Sequence, residues 1–140
     1  ILCASPAYLA RRGAPAKPED LRDHDCIALR ENDEDVTLWR FKRGRGPAVG
    51  VRIAPVLSSN TGAAAVEWAL AGHGIVARSE WDVAEHVKTR SLVPLLAGWN
   101  LPDANVVALV KSRQDLSART AGFLAHLRAA FTATPWREKS

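Results

Sequence analysis

The order of strand-like and helix-like segments in this chain predicts an α/β fold with a mixed sheet flanked by helices. Three observations carry that expectation. Through the second half, short apolar blocks of strand type take turns with longer stripes of helix type. In residues 38–42, Leu38, Arg40 and Lys42 alternate with Trp39 and Phe41, a period of two that puts both aromatics on one core-facing side of a strand. In residues 63–71, Val66, Ala69 and Leu70 instead recur at three and four residues in an alanine-rich background, the pattern of a packed helix.

Residues 1–4 form a short apolar strand that stops at Ser5-Pro6, a favoured N-cap followed by a favoured first helical residue. The helix this opens ends near Arg12, with Gly13 just past it. Residues 14–18 are a loop, and Glu19-Asp20-Leu21 add one turn after Pro18. Strands are expected at 26–30, 36–42 and 49–57, separated by the acidic loop 31–35 and the glycine turn Arg43-Gly44-Arg45-Gly46. Ser58-Ser59-Asn60-Thr61 breaks the third strand, and Gly72-His73-Gly74 stops the helix that follows. Residues 75–77 read as a buried strand, 80–88 as a helix, 92–96 as a strand and 106–111 as a continuously apolar strand covered on both faces. A last helix at 116–132 carries the stripe Thr120, Phe123, Leu124, Leu127, Ala130 and Phe131, and 135–140 is a frayed tail.

Composition fits one folded domain. No apolar run approaches the roughly 18 residues that a membrane span needs. The net charge of +4 comes from cations scattered along the chain, and the dense run Lys42-Arg43-Gly44-Arg45 reads first as a charged hairpin turn. Specific DNA contact by this segment alone is not expected. Cys3 and Cys26 are too few for a disulfide scaffold and lie in apolar runs, so they read as buried free thiols of a cytoplasmic protein. Met is absent even at position 1, so the missing secretory leader says nothing about the parent protein.

Catalytic chemistry finds little to use. In His24-Asp25-Cys26 the residue types of a triad are neighbours, but consecutive side chains of an extended segment point to opposite faces. His73, His86 and His126 have no second ligand at metal spacing, so neither a metal nor a cofactor is expected. Gly72-His73-Gly74 lacks the lysine and downstream glycines of a phosphate loop. An enzyme such as a small esterase is therefore disfavoured. Ser59-Asn60-Thr61 stands out, because a polar turn opening an alanine-rich helix either caps it or leaves its first amides to hold an anion.

Several short signatures in fixed order are more specific than any one of them: Leu2-Cys3-Ala4-Ser5-Pro6-Ala7-Tyr8-Leu9, Pro18-Glu19-Asp20-Leu21, His24-Asp25-Cys26-Ile27, Trp39-Arg40-Phe41, Ser59-Asn60 and Gly72-His73-Gly74-Ile75. Together they resemble the effector-binding domain of LysR-type transcriptional regulators, from Leu2 to about Phe131. The resemblance implies a type II periplasmic-binding-protein-like fold of two lobes, with a helix-turn-helix, a linker helix and half of the first lobe upstream of Ile1. It places the crossover from the first lobe at 1–7, the second lobe at 8–105, the return crossover and a first-lobe helix at 106–134, and the tail at 135–140.

The same resemblance implies a small anionic effector, such as a carboxylate, in the cleft between lobes. Ser59, Asn60 and Thr61 would line one wall, and Arg78, Ser79 and Trp81 the other. Arg78 would pair with an acidic group and Trp81 would supply an apolar surface, the plain alternatives being a surface arginine and a core tryptophan. Ser79 stands where a proline is frequent in the family. No catalytic residues are implied. Implied partners are DNA, reached only through the upstream helix-turn-helix, and a second copy, since the last helix lacks its first-lobe partner. A solute receptor of a transport system with the same bilobal fold is the alternative.

Overall fold

The computed structural model describes residues 1–30, 35–103, 107–110 and 116–132. The chain divides into two compact units, Ile1–Asp103 and the residues that follow. In the first unit the elements run β1 (Leu2–Ala4), α1 (Pro6–Arg12), a 3-10 turn (Pro18–Asp23), β2 (Cys26–Leu29), β3 (Leu38–Lys42), β4 (Ala48–Arg52), β5 (Pro55–Ser59), α2 (Gly62–Leu70), β6 (Ile75–Ala77), α3 (Glu80–Lys88) and β7 (Val93–Pro94). The second unit contributes α4 (Ala118–Thr132).

Five strands form one mixed sheet in the order β5-β2-β6-β1-β7. β2 pairs in parallel with β5 and with β6, whereas β1 pairs antiparallel with β6 and β7. Strand alternation divides the core into two layers. Leu2, Ala4, Cys26 and Ile75 face one cluster with Tyr8, Leu21, Phe41 and Val51, while Cys3, Ile27 and Val76 face another with Ala65, Val66, Ala69, Val83 and Leu92. β2 is buried over Cys26, Ile27 and Ala28 because helices cover one face and the β3–β4 hairpin, with α1, covers the other.

Local chemistry explains the boundaries. Ser5 Oγ accepts the Tyr8 amide at the start of α1, and Pro6 fills the first helical position. Gly72 has φ 83°, a left-handed conformation that ends the chain's exit from α2 at low steric cost. Gly74 answers a different demand: a Cβ there would lie 2.6 Å from the Asp25 carbonyl oxygen, against the strand that β6 must join.

Three expectations about strands change. The segment 49–57 is two strands, β4 in the hairpin sheet and β5 at the edge of the large sheet. Pro55, which has no amide hydrogen, begins the second. The strand expected at 92–96 shrinks to Val93–Pro94. Residues 107–110 form no strand and expose Leu109 to 94%, since no other strand among the described residues of that unit could pair with them. The helix expected at 116–132 begins at Ala118 and carries no buried residue. Along it Thr120, Leu124 and Leu127 are part-buried, whereas Phe123 is exposed. Residues 31–34 and 133–140, where most of the acidic loop and the tail were expected, lie outside the described residues.

Candidate functional site

β5 ends at Ser59, whose carbonyl accepts the Arg30 amide at 2.7 Å. Its hydroxyl turns inward along the chain and accepts the Thr61 amide at 3.1 Å. The N-cap of α2 is thus Thr61, and its side chain makes no capping hydrogen bond. Asn60 and Thr61 are both exposed. The first amides of α2 therefore carry their partial positive charge without a side-chain oxygen from the cap.

Arg78 follows the last residue of β6, and its amide donates to the Ile1 carbonyl at 2.9 Å. Its side chain reaches back to α2 and rests over Gly62, the first helical residue, with only 14% of its surface exposed. Ser79 is the N-cap of α3, and its side chain also makes no capping hydrogen bond. A guanidinium thus sits against the start of one helix and one residue before the cap of the next. Helix starts repel cations, so this arrangement calls for negative charge. Asp82, in the first turn of α3, supplies some: its Oδ2 accepts Nε of Arg78 at 2.7 Å and lies 2.5 Å from Nη2. Trp81 is 44% exposed on α3 and is not the core residue that one reading allowed.

Of the six residues expected at this site, the structure brings Thr61 and Arg78 to the same place through Gly62, with Ser59 hydrogen-bonded to Thr61 and Ser79 next to Arg78 in the chain. Gly62 and Asp82 were not anticipated. The spacing of Arg78 and Asp82, four residues apart at a helix start, was a legible sign of their pairing.

The triad-like run is structural. Tyr8 Oη lies 3.0 Å from His24 Nδ1 and accepts the Asp25 amide at 2.9 Å, while Cys26 Sγ donates to the Leu21 carbonyl at 3.7 Å. Burial pushes the Cys26 thiol up to about 12 and Cys3 up to about 11, away from any thiolate chemistry near neutral pH. Among the described residues, no group of His, Cys, Asp or Glu could hold a metal ion. No described helix is long and apolar enough to cross a membrane.

This arrangement of strands and helices recurs in solved regulatory domains. The regulatory domain of AphB from Vibrio vulnificus superposes with a TM-score of 0.65 over 73% of this chain and 50% of that one, at 24% identity, a likeness of fold. The CrgA regulatory domain from Neisseria meningitidis, a LysR-type transcriptional regulator, is 31% identical with a TM-score of 0.59, covering 69% of this chain and 46% of that one. A sequence model described as the LysR substrate binding domain matches residues 1–132, and the chain belongs to that family.

Among its relatives, the HTH-type transcriptional regulator DmlR of Escherichia coli K12 is 37% identical over 131 residues, 94% of this chain and 42% of that protein. The HTH-type transcriptional activator TtdR of the same strain is 36% identical over 111 residues, 79% of this chain and 35% of that protein. The chain thus spans 35–42% of the length of these relatives. Their names are those of transcriptional regulators, and the family is regulatory and not enzymatic.

Proposed function

We propose that this chain is the effector-binding section of a bacterial, cytoplasmic LysR-type transcription regulator, and that its effector is a small anion held where Arg78 meets the start of α2. One observation carries the reading: a largely buried guanidinium lies over the first turn of a helix whose cap residue leaves the amides open. Ser59, Asn60 and Thr61 border the anion on the α2 side, Ser79 adds a second helix start that has no side-chain cap, and Trp81 offers an apolar surface to the rest of the ligand. Residues 8–105 are read as the second lobe, with 1–7 and 106–134 crossing to and returning from the first.

In the whole regulator, an effector that fits one lobe arrangement better than another would shift their populations and so change how paired DNA-binding heads sit on a promoter. The regulator names of the relatives favour this over a transport receptor. The apolar stripe of α4, with Leu124, Leu127 and Phe131, is read as part of a contact with a second copy.

A thermal-shift panel tests the anion reading. Acetate, succinate and benzoate are compared with their amides on the wild type and on Arg78→Gln. At a concentration of about 100 times Kd, a bound ligand adds about 2.7 kcal/mol of stability. The acids, not the amides, should stabilise the wild type, and Arg78→Gln should abolish the effect. Equal stabilisation by the amides, or no loss in the variant, contradicts it.

A further inference from the structure

We infer that Gly62 is a positioning residue of the anion site, because its missing side chain is what lets the Arg78 guanidinium rest on the first turn of α2. The inference rests on the reading of that place as the effector site. A Cβ on Gly62 would overlap Nη2 of Arg78 and lie 2.5 Å from Cζ and 3.0 Å from Nη1. No side chain fits beneath the guanidinium. Asp82 Oδ2 holds Nε and Nη2, and among the described residues Nη1 has no acceptor. The guanidinium is thereby fixed with donors left over for a ligand.

Gly62 has no backbone reason to be glycine. It lies inside the helix at its first position, where other residues are better helix formers. At Gly74 the atoms in the way of a side chain are backbone atoms of Asp25, so a substitution there attacks the fold. At Gly62 the obstacle is the far end of a flexible side chain, which can swing out. Gly62→Ala should therefore leave the fold intact and displace only the guanidinium.

The test is titration with inorganic sulfate, followed by NMR at the Arg78 Nε–H and at the amides of Gly62 and Ala63, on the wild type, Gly62→Ala, Arg78→Gln and the double variant. A charge-assisted hydrogen bond to an anion is worth about tenfold or more in affinity. Gly62→Ala should weaken sulfate binding about tenfold while its unfolding midpoint stays level or rises. The double variant should bind no worse than Arg78→Gln, because both changes remove the same contact. If Arg78→Gln weakens binding but Gly62→Ala does not, the inference falls and the anion site stands. If Arg78→Gln binds sulfate like the wild type, the site itself is wrong and the inference goes with it. If Gly62→Ala unfolds while the double variant folds, the contact is structural and the positioning role is refuted.

Discussion

Tyr8 and Asp25 are joined by a hydrogen bond of 2.9 Å in which the phenol oxygen of a fully buried tyrosine accepts the backbone amide that leads into β2. The same oxygen lies 3.0 Å from His24 Nδ1, so one side chain ties α1 to the entry of the central strand. The Arg11 guanidinium lies over this ring, 5.6 Å from its centroid.

Removing the hydroxyl leaves that amide without its partner. Tyr8→Phe should destabilise the chain by about 1–3 kcal/mol, the cost of leaving a part-buried amide without its acceptor. Urea denaturation measures it. A change within about 0.5 kcal/mol, the range typical of surface substitutions, would mean that the bond contributes nothing to the fold.

The two buried thiols make the fold sensitive to alkaline pH. Burial raises Cys3 to about 11 and Cys26 to about 12, from an ordinary value of 9.0. Stability from keeping them protonated is complete below pH 9, and above it the unfolded chain releases protons that the folded chain retains. The unfolding free energy should fall as pH rises from about 9 toward 11, and Cys3→Ala/Cys26→Ala should flatten that fall. Rapid alkylation of either thiol in the native chain at pH 8 would contradict their burial.

Asp35 makes a contribution at the acid end. Hydrogen bonds from the Thr37 hydroxyl and amide, then from Arg52, lower its carboxyl from 3.8 to about 2. Its contribution to stability is present above pH 3.8 and is lost as pH falls toward about 2. NMR titration of the carboxyl carbon should show Thr37→Val raising this pKa more than Arg52→Gln does. The reverse order would make the ion pair, and not the threonine, the main cause.

Much of the fold was legible because its cues are local. Ser5-Pro6 and Gly13 bracket α1, and Gly72-His73-Gly74 ends α2, since caps and turns are decided by a few adjacent residues. The alternation at Trp39 and Phe41 correctly marked the core face of the hairpin. The division of 49–57 was missed because apolar continuity runs through Ile53-Ala54, while the two halves pair with β3 and β2 in different sheets. Only Pro55 hinted at the break.

At the candidate site, the polar turn at Ser59 and Thr61 was legible from residue type and order, whereas the arginine after β6 was singled out only through the family resemblance. Gly62 was not legible. Its role depends on a contact with Arg78, sixteen positions away and reached only after α2 crosses back to the sheet, so no periodicity encodes it.

The most direct test of the central claim is where a carboxylate binds. Titrating the isotopically labelled chain with succinate, acetate or benzoate, while following every backbone amide, locates it without assuming the natural effector. If the chain is an anion-responsive sensor lobe, saturable shifts should concentrate at Gly62, Ala63, Ala64, Ser79 and Glu80, the starts of the two helices that flank Arg78. Shifts that concentrate instead on the cationic hairpin around Arg40, Lys42 and Arg45, or that never saturate anywhere, would contradict it.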